Sequence, residues 1–412
     1  MAAALGLPGC VMALGRERTR AGCRNVEVNG MTTQHKWATG EVTVPVVRTA
    51  LELIGRPGSR RMIPTPAAVI DLAALRRNLS RAAQLCADSG VALRPHAKTH
   101  KSADLARLQL DSGAVGVCVA KTGEAEALFA AGITDLLITS PIIDHHVAAR
   151  VADLAAQGAS VRVTVDHLDG VVALAAAART PIDVLIDVDV NMHRTGVPDP
   201  EAALVLAAPI QASPNLRLRG VQGYGGHWQH VREPDARRAA VADGMELLTA
   251  TIDALDKAGF DTGIRTGGGT GTLDADLALG VLNEVQPGSY AVLDRQYGEV
   301  ESTWLRSLEQ ALFVQSTVIN TAQPQWVTVD AGLKAFATDA DVPGTDLGTY
   351  VWYGDEHGVL VVGEPERPPL GSRVEFVPPH CDPTIDRYDF IHVVENDVLV
   401  DLWPVHARGR SQ

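Results

Sequence analysis

A lysine stands in the run Pro95-His96-Ala97-Lys98-Thr99-His100, directly after an apolar segment with the pattern of a buried strand. A charged amine at the end of a buried strand is unfavourable unless a reaction or a partner uses it. Burial also favours loss of the proton, and a neutral amine is a nucleophile that can form a Schiff base. We therefore take Lys98 as the candidate nucleophile and expect the chain to supply a phosphate cradle and an aromatic wall beside it.

A glycine run between threonines is the candidate phosphate cradle. Because glycines lack side chains, their backbone N–H groups can approach a phosphate, and neighbouring threonine hydroxyls add donors. No Gly-Lys-Ser/Thr follows, so the run is not a P-loop. A flexible surface loop is the alternative. The predicted phosphate-binding residues are Thr266, Gly267, Gly268, Gly269 and Thr270.

Three further side chains could contact a pyridoxal ring. Arg194 could hydrogen-bond the ring oxygen and keep it ionised, although a structural salt bridge with Asp187 or Asp189 is an equally simple interpretation. Tyr224 could stack on the ring or bond the imine region, and Tyr290 could form part of the same wall. Ordinary packing in the core is the alternative for both tyrosines.

The segment His380-Cys381-Asp382 is the candidate metal site. On an extended segment the side chains at i and i+2 point to the same side, so His380 and Asp382 could ligate one divalent ion while Cys381 faces away. With two protein ligands the other positions fall to water, which suits Mn²⁺ or Mg²⁺ better than a closed zinc site, with Zn²⁺ as a further candidate. A surface turn is the alternative for so short a motif.

Other histidines are weaker candidates. His96 and His100 flank Lys98 and could tune its pKa or merely fill space. His227 and His230 follow a predicted strand and are candidates for the substrate pocket.

The elements that must position these residues follow a strand–helix alternation from about residue 66 to 300. Such alternation predicts a parallel sheet, and eight units predict a closed (β/α)₈ barrel over residues 63–300, whose strand C-terminal ends carry the chemistry. An open doubly wound sheet is disfavoured because no Gly-rich dinucleotide turn follows the first strand. After a segment at 67–70, the predicted strands are 93–97, 115–120, 135–139, 161–165, 184–188, 218–223, 263–265 and 289–293. The predicted helices include 122–131, 145–157, 200–206 and 239–258.

Beyond residue 300 the pattern changes to short valine-rich segments separated by turn signals. This pattern predicts a second, mostly antiparallel β domain over residues 301–412, which carries the candidate metal ligands. Its predicted strands are 311–318, 325–329, 358–362, 373–377, 390–394 and 398–403.

Composition excludes several function classes. The net charge of −13 over 412 residues argues against nucleic acid or an anionic membrane as the main partner. No apolar run is long enough to span a membrane. The five cysteines are an odd number without CxxC spacing, which indicates a reduced, cytoplasmic protein.

The first 62 residues differ from the rest, with nine Lys/Arg against four Asp/Glu. Early arginines with few acids are typical of a transit peptide. We favour the simpler alternative of a disordered extension or a wrongly assigned start, with Met31 and Met62 as later starts. The ordered fold is then expected to begin near Ile63.

Several motifs in one order resemble the D-threonine aldolase and D-serine dehydratase group of pyridoxal-phosphate enzymes. That group has the alanine-racemase-type fold, a (β/α)₈ barrel followed by a β domain, and the resemblance covers about residues 63–409. The motifs are Arg94-Pro95-His96-Ala97-Lys98-Thr99-His100-Lys101, Met192-His193-Arg194-Thr195-Gly196-Val197, Thr266-Gly267-Gly268-Gly269-Thr270-Gly271-Thr272, Asn283-Glu284-Val285-Gln286-Pro287-Gly288-Ser289-Tyr290, Asp330-Ala331-Gly332-Leu333-Lys334-Ala335, Gly354-Asp355-Glu356-His357-Gly358 and Pro379-His380-Cys381-Asp382-Pro383-Thr384.

The resemblance implies roles for individual residues. It makes Lys98, rather than Lys101, the lysine that binds pyridoxal phosphate, and it places the phosphate on the glycine run with Arg194 near the ring oxygen. It makes His380 and Asp382 the metal ligands. The dehydratase branch has His-x-Cys at this point, so Asp382 favours the aldolase branch.

The implied activity is that of a pyridoxal-phosphate- and metal-dependent lyase, which cleaves a D-β-hydroxy-α-amino acid such as D-threonine to glycine and an aldehyde. The metal would bind the β-hydroxyl, and either a metal-bound hydroxide or His193 would take its proton. A D-serine or 3-hydroxyaspartate dehydratase is the first alternative, and a non-catalytic pyridoxal-phosphate-binding protein is the second. The resemblance also implies a homodimer, since this fold often completes its site across subunits.

Overall fold

Two eight-stranded sheets form the framework of the protein, shown by a computed structural model that describes residues 45–412. Residues 46–412 form one compact unit. In chain order the strands are β1 (Ala67–Asp71), β2 (Ala92–Leu93), β3 (Val117–Val119), β4 (Asp135–Ile138), β5 (Ser160–Val165), β6 (Ile182–Val188), β7 (Leu216–Gly223), β8 (Ile264–Gly267), β9 (Glu284–Val285), β10 (Leu312–Asn320), β11 (Trp326–Val329), β12 (Thr349–Trp352), β13 (Gly358–Val361), β14 (Arg373–Phe376), β15 (Phe390–Glu395) and β16 (Val398–Pro404).

The helices lie mainly between the strands of the first sheet. Several begin at an acidic residue whose side chain accepts from the first free N–H groups, as Asp71 does for the first long helix and Asp199 does for the seventh. They are α1 (Pro45–Leu53), α2 (Leu72–Asp88), α3 (Ala103–Asp111), α4 (Thr122–Ala130), α5 (His145–Ala156), α6 (Leu168–Ala177), α7 (Pro200–Ala212), α8 (Pro234–Lys257), α9 (Leu273–Leu279), α10 (Arg295–Gly298), α11 (Thr303–Arg306) and α12 (Cys381–Ile385).

The first sheet is parallel throughout, in the order β2-β9-β8-β7-β6-β5-β4-β3. Its end strands are also joined, because Val115 N donates to Leu93 O and Cys118 N donates to Pro95 O, each at 2.9 Å or less. The predicted (β/α)₈ barrel is therefore confirmed. Aliphatic side chains of the strands and the helices around them form its main core.

Two predicted strand boundaries are wrong. The first strand ends at Leu93, and the chain then turns into a 3₁₀ helix at Ala97–Thr99. The eighth strand is β9, while the predicted strand at 289–293 begins with a 3₁₀ turn at Ser289–Ala291. Tyr290 is fully buried in that turn, and a short buried apolar run has no periodicity that separates a turn from a strand.

Two helices are longer than predicted. Helix α7 was predicted over 200–206 but continues through Pro209 to Ala212. Helix α8 begins at Pro234, because Glu233 accepts from the N–H groups of the first turn and proline is tolerated at that position.

The second sheet has the order β12-β13-β11-β10-β1-β15-β16, with β14 also paired to β10. Its pairs are antiparallel except for β1 with β15, which are parallel. The predicted antiparallel β domain is confirmed. Strand β1 belongs to this sheet, although the sequence prediction had grouped residues 63–71 with the barrel, because a single strand does not reveal which sheet it joins.

The segment before Ile63 belongs partly to the fold. Ala50 and Leu53 of α1 are buried with Ile63 and Val69, next to β15 and β16. The ordered fold therefore begins earlier than the sequence indicated. The remainder of the predicted extension, residues 1–44, lies outside the described residues. Among residues 45–412, no helix is both long and apolar enough to cross a membrane.

Candidate active site

A cavity of about 160 Å³ lies at the C-terminal end of the barrel strands, where the two sheets meet. It brings together Lys98 from the segment after β2, Tyr224 from the segment after β7 and Gly269 from the loop after β8. His380 and Asp382 reach it from the other domain. With Thr270, which follows Gly269, six of the predicted site residues therefore meet in one cavity, although they come from distant parts of the chain.

Lys98 is held by the 3₁₀ helix at Ala97–Thr99. Its backbone N–H donates to His96 Nδ1 at 3.4 Å, and His96 Nε2 lies 3.0 Å from Thr139 Oγ1. Burial and the neighbouring Lys98 charge lower the pKa of His96, so the imidazole is neutral. Since Nδ1 accepts a hydrogen bond, Nε2 carries the hydrogen of the neutral ring. His96 thus fixes the turn that presents the lysine.

The Lys98 amine carries a proton in this environment, contrary to the sequence-based expectation. Burial lowers the pKa of Lys98, but the Asp382 carboxylate 3.6 Å from Nζ raises it, and the net shift is upward. Sequence could not supply this partner, because it lies 284 positions away. The neighbouring Lys101 is paired outside the cavity, with Nζ 2.9 Å from Asp386 and 3.5 Å from Glu124, which favours Lys98 as the reactive lysine.

The glycine run is buried rather than a flexible surface loop. A Cβ on Gly267 would clash with the carbonyl oxygen of Gly223, and one on Gly269 would clash with the Gln229 side chain. Gly269 and Thr270 line the cavity, whereas Thr266 lies beneath it and accepts from Gln286 Nε2 at 2.9 Å. Only small residues leave the backbone free to face the cavity, so the loop fits a phosphate.

Tyr290 lies in the packed core rather than on the wall of the cavity. Tyr290 is fully buried, its hydroxyl lies 3.4 Å from Gln109, and its backbone N–H donates to Thr270 Oγ1 at 3.0 Å. It supports the glycine loop from behind. Tyr297 lines the cavity instead.

Arg194 lies over an aromatic ring rather than beside an aspartate. Its guanidinium carbon is 5.4 Å from the centre of the Tyr224 ring, an arrangement typical of a cation–π contact. Asp187 instead accepts from Thr195 Oγ1 at 2.8 Å and from Gln222 Nε2 at 2.9 Å. Asp189 pairs with His193. The guanidinium is therefore left near the cavity wall.

His380 and Asp382 face the cavity by a different local geometry from that predicted. His380 is the extended residue before α12, and Asp382 lies in the first turn of that helix, so the two do not share an extended strand. The helix start is fixed by Asp294, which accepts from Cys381 N at 2.8 Å. Cys381 is fully buried beneath the pair, as expected.

The pair has the donor atoms that a divalent ion needs. His380 Nδ1 lies 2.8 Å from Asp339 Oδ2, which leaves Nε2 as the free ligand atom of the ring. Burial raises the pKa of Asp382, but Lys98 and His380 lower it and the net shift is downward, so Asp382 is a carboxylate. Among residues 45–412, no group of three His, Cys, Asp or Glu side chains forms a metal site, so a metal here would have two protein ligands.

His193 and His230 differ in position. The His193 side chain is 79% exposed, pairs with Asp189 at 2.9 Å and does not line the cavity. His230 lines the cavity, with its ring centre 4.7 Å from that of Tyr297. Burial of part of the ring and the neighbouring His380 lower the pKa of His230, which favours an imidazole that can accept a proton.

Sequence reasoning missed several cavity residues. Thr99 is fully buried and lines the cavity. Gln229, Gln286 and Ser289 also line the cavity. Thr99 and Gln286 lie within the motifs that carried the resemblance. Their positions close to Lys98 and Tyr290 in the sequence could have predicted that they line the cavity.

Comparisons with known proteins agree with this geometry. Residues 70–296 match the family model described as alanine racemase, N-terminal domain. Residues 311–394 match the model described as a putative serine dehydratase domain. The two matches fall on the barrel and on the second sheet.

Three relatives resemble nearly the whole described chain. A D-threonine aldolase of an Arthrobacter species is 38% identical over 359 residues, covering 85% of this chain and 94% of that protein. A 3-hydroxy-D-aspartate aldolase of Paracoccus denitrificans is 36% identical over 361 residues, which cover 85% of this chain and 93% of that protein. The crystal structure of D-threonine aldolase from Filomicrobium marinum superposes with a TM-score of 0.82 at 36% identity, covering 85% and 96%.

Proposed function

The chain belongs to the alanine-racemase-type family that includes D-threonine aldolase and 3-hydroxy-D-aspartate aldolase, and we propose that it is a carbon–carbon lyase of D-β-hydroxy-α-amino acids. In this reaction the Cα–Cβ bond of a D-threonine-like substrate breaks to give glycine and an aldehyde. The cofactors are pyridoxal phosphate and a divalent ion, with Mn²⁺, Mg²⁺ and Zn²⁺ as the candidates.

The cavity residues fit pyridoxal phosphate. Gly269 and Thr270 offer backbone and hydroxyl donors for its phosphate, and Lys98 offers the amine that holds its aldehyde carbon. Tyr224 lines the cavity and would form a wall beside the ring, and Arg194, which lies over Tyr224, would be the nearby cation. The cofactor supplies an electron sink for the pair left on the α-carbon when the bond breaks.

His380 and Asp382 would hold the divalent ion through an imidazole nitrogen and a carboxylate oxygen. The ion would lower the pKa of the substrate's β-hydroxyl. The Asp339–His380 hydrogen bond keeps the imidazole in the tautomer that ligation requires. Because these two residues come from the second sheet, the barrel alone would lack this function.

His230 is the group that we assign to accept the β-hydroxyl proton. It lines the same cavity as Lys98, His380 and Asp382, whereas His193 does not. A general base must reach the proton that it abstracts, so its position in the cavity supports His230. After cleavage, the free Lys98 amine is the expected proton donor to the α-carbon, because it lies in the same cavity.

One observation carries this proposal: an amine, a glycine cradle and a His/Asp pair meet in one cavity. The test incubates the purified protein with pyridoxal phosphate, Mn²⁺ and D-threonine and measures both product pairs. We expect glycine and acetaldehyde, with neither formed from L-threonine and both lost in EDTA. Ammonia and a keto acid without glycine would contradict the aldolase proposal.

The match of residues 311–394 to a putative serine dehydratase domain favours one second candidate, a dehydratase on the same scaffold. A dehydratase would eliminate the β-hydroxyl as water and release ammonia. D-serine and D-3-hydroxyaspartate in the same assay separate the two activities. Elimination releases ammonia with pyruvate or oxaloacetate, whereas cleavage gives glycine with formaldehyde or glyoxylate and no ammonia. The Asp382 carboxylate in the cavity supports the aldolase.

We also propose a homodimer in the cytoplasm. The three described cysteines, Cys86, Cys118 and Cys381, are free thiols, as a reducing compartment would keep them. Light scattering after size-exclusion chromatography should give a mass of about twice 43.6 kDa. A monomer mass with full activity would refute the dimer.

A further inference from the structure

Gln229 connects two loops of the cavity through every polar atom of its side chain. Its Oε1 accepts from Gly271 N at 2.9 Å, and its Nε2 donates to Gly225 O at 3.2 Å and to Thr272 Oγ1 at 3.0 Å. The residue is 2% exposed. One side chain thus ties the segment after β7 to the glycine loop after β8.

The contact continues into the helix beneath the glycine loop. Thr272 Oγ1 donates to Asp276 Oδ2 at 2.7 Å, so its lone pair is free to accept from Gln229. Both Thr272 and Asp276 are at most 1% exposed. A Cβ on Gly268 would clash with the Asp276 side chain, and a Cβ on Gly271 would clash with the backbone carbonyl oxygen of Gln229. The backbones are therefore in close contact, and a displacement of one loop must displace the other.

The segment that carries Gln229 also carries His230. A 3₁₀ turn at Gly226–Trp228 buries the Trp228 ring against Gly225 and Gly244. The next residue, Gln229, points into the glycine loop, and His230 then lines the cavity. The position of His230 is set by these two anchors on its N-terminal side.

We propose that Gln229 is a positioning residue that couples phosphate binding in the glycine loop to the placement of His230. This inference rests on the proposed function, in which the loop holds the cofactor phosphate and His230 accepts the substrate proton. A phosphate that binds the loop restrains Gly269 to Gly271. Because the Gln229 amide is hydrogen-bonded to Gly271 and to Gly225, the same binding restrains the backbone of residues 225–231. The same contact makes the affinity for phosphate depend on Gln229, although its amide is already saturated by protein groups and need not touch the ligand.

The first test compares pyridoxal phosphate with pyridoxal, which lacks the phosphate, in binding titrations of the full chain freed of cofactor. Gln229→Glu keeps the size and one acceptor but loses both donors, and Gln229→Met loses all three bonds. In each variant we expect affinity for pyridoxal phosphate to fall about tenfold or more, while affinity for pyridoxal stays within about twofold. Equal losses for both ligands would show a merely structural role and overturn the inference.

Thr272 provides a matched pair that leaves Gln229 in place. Thr272→Val keeps the shape and removes the acceptor of Gln229, so it should weaken pyridoxal phosphate in the same selective way. Thr272→Ser retains the hydroxyl and should bind pyridoxal phosphate within about threefold of the wild type. Selective weakening by the serine variant as well would mean that packing, not the hydrogen bond, is responsible.

The coupling itself is measured by amide hydrogen exchange of the full chain with and without inorganic phosphate. Phosphate should slow exchange in residues 225–231 of the wild type at least threefold, and not in Gln229→Met. Unchanged exchange in the wild type under saturating phosphate would refute the coupling. These results differ from the result expected if the proposed function is wrong. In that case the wild-type protein would bind neither pyridoxal phosphate nor pyridoxal through Lys98.

Discussion

At the scale of single residues, two lysines three positions apart have opposite surroundings. Lys98 faces the cavity with its side chain 39% exposed, whereas the Lys101 side chain is 9% exposed and lies between Glu124 and Asp386. Lys98 can therefore reach a ligand in the cavity, whereas the Lys101 amine is occupied by two carboxylates outside it.

Replacing Lys98 should therefore affect cofactor binding and activity, whereas replacing Lys101 should affect the stability of the fold. Lys98→Ala should abolish the absorbance of bound pyridoxal phosphate and the activity, with the free energy of unfolding little changed. Lys101→Met should lower the free energy of unfolding by about 3 kcal/mol, because it leaves Glu124 buried without its cation. Absorbance titration and urea denaturation of both variants check this, and normal cofactor binding in Lys98→Ala would contradict it.

The two candidate bases are distinguished in the same way. His230→Asn should lower kcat about 10²- to 10⁴-fold with a smaller change in KM, since a general base contributes about that factor. His193→Asn should leave kcat within about threefold, because His193 lies outside the cavity and pairs with Asp189. Steady-state kinetics on D-threonine decide the assignment, and exchanged losses would restore the sequence-based prediction of His193.

At the scale of elements, the glycine loop is shaped by what lies under it. Helix α9 begins at Leu273 and places Asp276 below the loop, next to Gly268 and Thr272. The Asp276 carboxylate occupies the space that a Cβ on Gly268 would need, so this contact requires a glycine at position 268. The glycines are required by this packing as well as by the ligand.

Asp276 in helix α9 should make the free energy of unfolding depend on pH. Burial raises its pKa to about 7, whereas an unfolded aspartate has a pKa of about 3.9. The folded state thus binds more protons between these values, and the free energy of unfolding falls as pH rises. Relative to Asp276→Asn, the wild type should lose up to about 4 kcal/mol between pH 4 and 7. Urea denaturation at several pH values measures this, and parallel curves would contradict it.

At the scale of the whole molecule, the chain forms β1 before the barrel and the rest of the second sheet after it. Strand β1 lies between β10 and β15, so the second sheet is complete only when both ends of the described chain are in place. The segment that carries His380 and Asp382 connects β14 and β15 of this sheet. Arg60 adds a bidentate contact from the N-terminal side to Glu375, at 2.9 and 2.7 Å.

Residues 45–62 should therefore contribute to stability. A chain that starts at residue 63 should have a free energy of unfolding lower by about 3 kcal/mol than one that starts at residue 45, because it lacks Leu53 and the Arg60–Glu375 contact. Denaturation of both truncated chains gives the comparison. Equal stability would show that these contacts form but do not stabilise the fold.

Sequence by itself determined the local features of this protein. Periodicity predicted the parallel barrel and the antiparallel sheet, because strand and helix patterns depend on neighbouring residues. The motifs predicted Lys98, the glycine run and the His380/Asp382 pair as the candidate site, since their residue types and order are specific.

Tertiary structure alone decided what these residues do to one another. It raised the pKa of Lys98 through Asp382, put His230 rather than His193 in the cavity and joined two loops through Gln229. Each of these depends on contacts between positions tens or hundreds of residues apart. Electrostatic and packing interactions fall off over a few ångströms, so a linear sequence does not reveal them until the fold brings the partners together.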